Sequence, residues 1–77
     1  MSYEPIITNR AQEKMKKWGV TKQELMAAFN STQIEKGMAK NSTTGIYRYG
    51  NKEICATYLK DYKGQWKIIS CWKRRHF

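Results

Sequence analysis

The chain has 77 residues, of which 15 are Lys or Arg and 6 are Asp or Glu, so its formal net charge at pH 7 is +9. This length allows one small domain, residues 1–77, and a hydrophobic fraction of 40% excludes a disordered basic tail. No apolar run approaches the about 20 residues of a spanning helix, and no signal-peptide pattern is visible, so we expect no membrane partner.

The positive charge predicts a polyanionic partner, either a nucleic acid or an acidic protein. The excess of cations over anions is larger in residues 41–77 than in residues 1–40, so the second half is the predicted contact surface. We expect a cytoplasmic protein, or a domain excised from a larger secreted protein.

An extended lead over residues 3–8 precedes the first predicted helix, over residues 10–18. The helical period places three apolar side chains on one face of it, namely Ala11, Met15 and Trp18. Thr8 or Asn9 is expected to cap the start of this helix, and Gly19 is expected to end it.

A second helix is predicted to begin immediately afterwards, at Thr21. Thr21 and Glu24 have the spacing of a capping box, in which each side chain accepts a hydrogen bond from the backbone N–H of the other residue. The apolar stripe of this helix consists of Leu25, Ala28 and Phe29. It is expected to end near residues 30–32.

From there the hydrophobic period changes from 3.6 to 2, which is typical of strands. The predicted strands cover residues 33–36, 46–49, 53–62 and 65–73, with turns at residues 50–51 and 63–64 and a polar connection over residues 37–44. Two helices followed by three or four antiparallel strands predict an α+β domain, with the helices packed on one face of the sheet.

Side chains of a strand alternate between its two faces. In the last strand, one set is Trp66, Ile68, Ser70, Trp72, Arg74 and His76, and the other is Lys67, Ile69, Cys71, Lys73 and Arg75. The start of the first set is predicted to be core, together with Trp18, and the second set resembles a face open to a ligand. In residues 46–49, Arg48 alternates with Tyr47 and Tyr49, and the sequence leaves open which of them face outward.

Two cysteines, Cys55 and Cys71, lack CxxC spacing, so we expect no metal site and no cofactor. A hairpin centred near Lys63 would place the two cysteines opposite each other. Buried, reduced thiols are favoured over a disulfide.

Several segments resemble known small bacterial domains. Residues 10–20, followed by Glu24, Leu25 and Phe29, resemble the helix His-Ala-x-x-Arg-Met-x-x-Arg-Gly-Ile/Val of a widespread uncharacterised family, and residues 47–50 resemble its Tyr-x-Tyr-Gly strand. The chain is also similar to the RelE and BrnT toxins, whose fold is grouped with barnase, EndoU and the tRNA-cleaving colicins. Residues 18–20 stand where BrnT-like proteins have His-Gly-Val, and residues 67–75 are similar to their last strand.

This resemblance implies a RelE-like fold and a ribonuclease toxin that cuts RNA from basic residues on its sheet. It also implies a cognate acidic antitoxin or immunity protein that neutralises the toxin. Three family positions differ in this chain, because its helix His is Arg10, its first Arg is Lys14 and its second Arg is Trp18. The resemblance therefore supports RNA binding more directly than catalysis.

Metal-independent RNA cleavage needs a base, an acid and cations for the charge of the transition state. His76 is the only histidine, and neighbouring cations would lower its pKa and favour the base-competent form. The alternative interpretation is a frayed surface residue near the C-terminus. The predicted catalytic residues are His76, Arg74 and Arg48. The predicted nucleic-acid contacts are Arg10, Lys14, Tyr47, Tyr49, Lys67, Trp72, Lys73 and Arg75. The alternative is a non-catalytic basic module that binds nucleic acid or an acidic protein.

Overall fold

The computed structural model describes residues 4–75. Its elements are β1 (Ile6–Ile7), α1 (Asn9–Trp18), α2 (Lys22–Phe29), β2 (Ile34–Lys36), β3 (Thr43–Tyr49), β4 (Lys52–Lys60) and β5 (Trp66–Arg75). The strands form one sheet in the order β1-β5-β4-β3-β2, and both helices pack on the same face of it. The predicted α+β class is confirmed.

The sheet has five strands and is mixed, so the prediction of a sheet of three or four antiparallel strands is not confirmed. The additional strand is β1, which runs parallel to β5 and pairs Ile6 with Lys67 and Ile7 with Ile68. Thr8 extends this contact, because its N–H and its hydroxyl donate to the Ile68 carbonyl at 3.2 and 2.9 Å. A strand of two residues is too short to show alternation, and its partner lies far away in the sequence.

The predicted helix ends are confirmed. Thr8 caps α1, since its hydroxyl accepts from the Ala11 N–H at 3.2 Å, and Gly19 ends the helix in the left-handed conformation with a φ of 67°. At the start of α2, the Thr21 N–H donates to Glu24 Oε1 at 2.9 Å and the Glu24 N–H donates to the Thr21 hydroxyl at 3.1 Å. Caps of this kind stabilise a protein by about 1 kcal/mol each.

The hydrophobic core lies between the helices and the sheet. Its buried members are Ala11, Val20, Leu25, Ala28, Ile54, Ala56, Ile68 and Cys71, with Met15 and Phe29 packed against them. The apolar faces predicted for both helices are therefore confirmed, except for Trp18. Trp18 is 42% exposed, because it is the last residue of α1, and its ring contacts Lys17 Nζ at 5.8 Å from the ring centroid.

One glycine sets how closely α2 approaches the sheet. A Cβ atom on Gly45 would lie 2.0 Å from the Ala28 carbonyl oxygen, which is backbone and cannot turn aside. Only a residue without a side chain allows α2 to pack this closely on β3.

A β-bulge at Ile69 divides β5 into two parts. On the turn side, Tyr58 pairs with Ile68, whereas beyond the bulge Thr57 pairs with Ser70, so Ile69 has no partner on β4. The extra residue reverses the alternation, and Ile68 and Cys71 both reach the helix-side core. The two predicted sets of β5 are therefore wrong beyond Ile68, because strict alternation assumes an uninterrupted register.

The same bulge separates the two cysteines. Continuing the register of the turn would place Cys55 opposite Cys71, but Cys55 pairs with Trp72 and Cys71 pairs with Ala56. Cys71 lies on the same face as its partner Ala56, and Ala56 is the neighbour of Cys55 on β4. Because neighbouring positions of a strand face opposite sides, the two thiols lie on opposite faces of the sheet. Both are buried and unbridged, as predicted, whereas the expectation that they face each other is wrong.

Candidate nucleic-acid interface

The sheet face turned away from the helices, here called the outer face, carries part of the predicted site. Register places on it Thr44, Ile46 and Arg48 from β3, Glu53, Cys55 and Thr57 from β4, and Ser70, Trp72 and Arg74 from β5. Two of the three predicted catalytic residues, Arg48 and Arg74, therefore share one surface with the predicted contact residue Trp72. The third, His76, lies outside the described residues.

Arg48 and Arg74 bind the same carboxylate from its two sides. They stand opposite Glu53 in the register of the sheet, and Glu53 is only 3% exposed. The Arg74 Nε donates to Glu53 Oε1 at 2.5 Å, and the Arg48 Nε donates to Oε2. The hydrogen bond from Arg74, supported by the one from Arg48, lowers the pKa of Glu53 despite its burial. Glu53 is thus a charged anchor for two cations.

Each arginine uses its Nε atom for Glu53 and leaves its terminal nitrogens for other partners. The Arg48 Nη1 and Nη2 donate to the Gln33 amide oxygen at 3.1 and 3.2 Å, in the amide orientation that satisfies both groups of Gln33. The Arg74 Nη2 lies 3.6 Å from the exposed Glu35 carboxylate. Both arginine side chains stay more than 40% exposed, at 43% and 42%. The guanidinium groups are held at the surface, with nitrogens within reach of an anion.

Next to this pair along β5, the outer face is hollowed into a cleft of about 570 Å³. Trp72 and Ile69 line it from the sheet, and Met38 and Ala39, in the connection between β2 and β3, line it from the other side. Arg10 reaches the cleft from the first turn of α1 and supplies its one charged side chain among the described residues. The cleft therefore combines apolar walls with a single cation.

Three hydroxyl groups also line the cleft, and they differ in their hydrogen bonds. The Thr8 hydroxyl donates to the Ile68 carbonyl and accepts from the Ala11 N–H at the start of α1. The Thr57 hydroxyl is hydrogen-bonded to the Thr44 hydroxyl at 2.9 Å. The Ser70 hydroxyl makes no hydrogen bond within residues 4–75. Ser70 is thus the hydroxyl of this cleft that a ligand can engage without displacing a protein partner.

Four predicted contact residues lie on the inner face, which carries the helices. They are Tyr47, Tyr49, Lys73 and Arg75, and they lie at the same end of the sheet as Arg48 and Arg74. The two tyrosine rings are 37% and 39% exposed, with centroids 5.4 Å apart. These residues do not join the outer face, because neighbouring strand positions alternate.

Two of these inner-face residues already have structural partners. The Tyr49 hydroxyl donates to Glu24, and this hydrogen bond raises the pKa of Tyr49. Lys73 Nζ donates to the Gly19 carbonyl at 3.0 Å and lies 3.7 Å from Glu24 Oε1, so it stabilises the end of α1 and the start of α2. Within the described chain, Arg75 forms no ion pair, and it stands opposite Lys52.

The remaining predicted contacts lie elsewhere. Lys67 is near the turn between β4 and β5, at the opposite end of the sheet from Arg48, and its Nζ pairs with Asp61 at 3.5 Å. Lys14 is on α1 and is not among the residues that line the cleft. Lys67 is next to the inward-facing Ile68 and so belongs to the outer side of β5, but it lies at the other end of the strand from Arg74. The structure therefore brings neither residue together with Arg48 and Arg74.

The outer face offers cations and an aromatic ring, and residues 4–75 contain no histidine. The only histidine of the chain is His76. Burial raises the pKa of Cys55 and raises the pKa of Cys71 to about 11, so both thiols are protonated at neutral pH. The same part of the chain contains no group of three or more His, Cys, Asp or Glu side chains arranged to hold a metal ion.

Two residues of this candidate site, Glu53 and Ser70, were missed by sequence reasoning. The sequence could have indicated Glu53, because a hairpin with its turn at residues 50–51 places Glu53 directly opposite Arg48. Nothing in the sequence indicated Ser70, since its position in the cleft depends on the bulge at Ile69.

No family model, no curated protein and no solved structure matches this chain. Neither helix of the described residues has the length and apolar character needed to cross a membrane. The resemblance to RelE-like and BrnT-like toxins therefore stays a prediction. A proposal for the function of this protein is based on the geometry of the outer face.

Proposed function

We propose that this protein binds RNA through its outer face, with phosphate groups at Arg48 and Arg74 and bases near Trp72. The observation that carries the proposal is the attachment of two half-exposed guanidinium groups to one buried carboxylate, Glu53, beside an aromatic cleft. Arginines held in this way lose little side-chain entropy on binding, and guanidinium groups bind phosphate oxygens in a bidentate manner.

RNA fits this surface better than an acidic protein does. An acidic peptide would satisfy the arginines, but it would leave the ring of Trp72 and the neighbouring cleft without a specific partner. Stacking of a base on an aromatic side chain contributes about 1–3 kcal/mol and needs no particular sequence. The net charge of +9 also favours association with polyanions in general.

Binding of a fluorescent ten-nucleotide oligouridylate, measured by anisotropy between 20 and 300 mM salt, tests this function. With about three to five phosphate contacts, the logarithm of the binding constant should fall against that of the salt concentration with a slope of about −2 to −3.5. Arg48→Gln and Arg74→Gln should each weaken binding at least about fivefold and reduce the slope by about 0.7.

The matched control is Lys67→Gln, which removes one positive charge at the other end of the sheet. Its effect should be less than twofold, and circular dichroism should show that all three variants are folded. Equal losses in all three variants would show that only the total charge matters, and the proposed interface would be wrong.

A second candidate function is cleavage of the bound RNA, as in an endoribonuclease toxin neutralised by an acidic antitoxin or immunity protein. The observation that favours it is the length of β5, which continues to Arg75 at the end of the sheet that carries Arg48 and Arg74. His76 follows directly in the sequence as the candidate base.

RNA degradation in EDTA, with wild-type protein and His76→Ala, separates cleavage from binding. Cleavage that His76→Ala abolishes while affinity is retained supports the toxin. Tight binding without cleavage by the wild-type protein leaves the non-catalytic module.

A further inference from the structure

Because of the bulge at Ile69, the outer face has a cleft beside the two arginines that are proposed to bind phosphate. The extra residue turns Ser70 and Trp72 away from the helices and into the cleft of about 570 Å³. That volume is within the range of about 300–1,000 Å³ that is typical of small-molecule sites. The cleft is thus large enough for a nucleotide, whereas the Arg48 and Arg74 pair lies beside it.

The groups that line the cleft indicate a ligand with a flat ring and a negative charge. Trp72 offers a face for stacking, Met38 and Ile69 offer apolar contact, and the Ser70 hydroxyl is unpaired within the described residues. Arg10 supplies the positive charge. A ring with polar edges that is covalently linked to a phosphate matches all of these groups.

We infer that the cleft holds one unstacked base of the bound RNA against Trp72, with the adjoining phosphate at Arg10. This inference rests on the proposed binding of RNA by the outer face and adds a subsite to it. Trp72 and Arg74 are two residues apart on the same side of β5, about 7 Å along the strand. A chain whose base enters the cleft can therefore continue to the Arg48 and Arg74 pair.

The hydrogen bonds of the cleft also predict how selective this subsite is. The hydroxyls of Thr8 and Thr57 already have protein partners, which leaves Ser70 as the hydroxyl available to a base edge. One hydroxyl both donates and accepts, so it distinguishes the bases poorly. We expect preferences among homopolymers of less than about tenfold, as for other stacking sites.

The test compares a ten-nucleotide oligouridylate with an abasic ribose-phosphate oligomer of the same length, both at low salt. Wild-type protein should bind the oligouridylate at least about fivefold more tightly. Trp72→Leu, which keeps an apolar side chain but removes the flat ring, should remove that preference. Trp18→Leu changes an exposed tryptophan outside the cleft and should retain the preference. Arg10→Gln should weaken binding of both oligomers, and Lys17→Gln, on the same helix, should have less effect.

The outcomes separate this inference from the proposed function. Equal binding of the two oligomers by the wild-type protein would overturn the base subsite, and with it the stacking that favours RNA over an acidic protein, but it would leave phosphate binding by Arg48 and Arg74 intact. A preference that persists in Trp72→Leu would also overturn it. Absence of binding to either oligomer at low salt would refute both proposals.

Discussion

Arg48 and Arg74, on strands β3 and β5, are joined through the buried carboxylate of Glu53 on the strand between them. Each guanidinium binds a different oxygen of this carboxylate. The side chains of Arg48, Glu53 and Arg74 therefore hold two positive charges and one negative charge in a fixed arrangement across three strands. A surface of this kind is rigid before any ligand arrives, which lowers the entropy lost on binding.

The charge on Glu53 should make the stability of the domain depend on pH. Its pKa is lowered in the folded state by Arg74 and Arg48, whereas a glutamate in an unfolded chain has a pKa of about 4.3. The stabilisation by Glu53 is therefore fully present above about pH 4.3 and is lost as the pH falls through the lower folded value. We expect Glu53→Gln to be less stable than wild type by about 2 kcal/mol at pH 7.

Urea unfolding followed by circular dichroism at several values between pH 7 and pH 3 measures this difference. The free energies of unfolding of the two proteins should converge as the pH falls. A difference that stays constant down to pH 3 would show that Glu53 does not owe its role to its charge.

Removing the charge of Glu35 should strengthen RNA binding. Glu35 is half-exposed and its carboxylate lies 3.6 Å from the Arg74 Nη2, so in the proposed complex it would compete with a phosphate for the same nitrogen. Charges at this distance near a surface interact by about 1 kcal/mol or less. We expect Glu35→Gln to raise affinity about two- to fivefold at low salt, as measured by anisotropy. Glu13→Gln, which removes a negative charge on α1, should have less effect, and an equal gain would contradict direct competition.

Substitution of Gly45 should be costly, because α2 packs against the backbone at this position. The Cβ of Gly45→Ala would lie 2.0 Å from the Ala28 carbonyl oxygen, so the helix must shift. We expect a loss of at least about 2 kcal/mol in the free energy of unfolding in urea. Gly50→Ala is a suitable comparison, since Gly50 has a φ of 57° but open space around it, and it should cost about 1 kcal/mol. Equal losses would mean that backbone conformation, and not contact with α2, controls Gly45.

The two thiols should be inert in the folded protein. Both are buried, burial raises their pKa values, and they lie on opposite faces of the sheet. We expect Ellman's reagent to react with the native protein on the order of 100-fold more slowly than with the urea-unfolded chain. Rapid labelling of native Cys55 or Cys71, or a disulfide seen by mass spectrometry without reductant, would contradict this arrangement.

Much of the fold could be predicted because its signals are local. The capping box of Thr21 and Glu24, the αL position of Gly19 and the apolar stripes of both helices depend on residues within one or two turns. The strand β1 could not be predicted in the same way, since two residues have no period and the partner at Ile68 is distant. For the site, the tight turn between β3 and β4 could have predicted the Arg48 and Glu53 pair, which was missed, whereas the addition of Arg74 required the register of β5.

By itself, the sequence determined the class of the domain, the limits of its helices, the approximate strands and a net charge of +9. These properties follow from composition and short-range periodicity. Only the tertiary structure decided which cations share a surface, because the bulge at Ile69 reverses the side chains that follow it. A single extra residue in one strand thus moves Trp72 and Arg74 to the outer face and leaves Lys73 and Arg75 on the inner one.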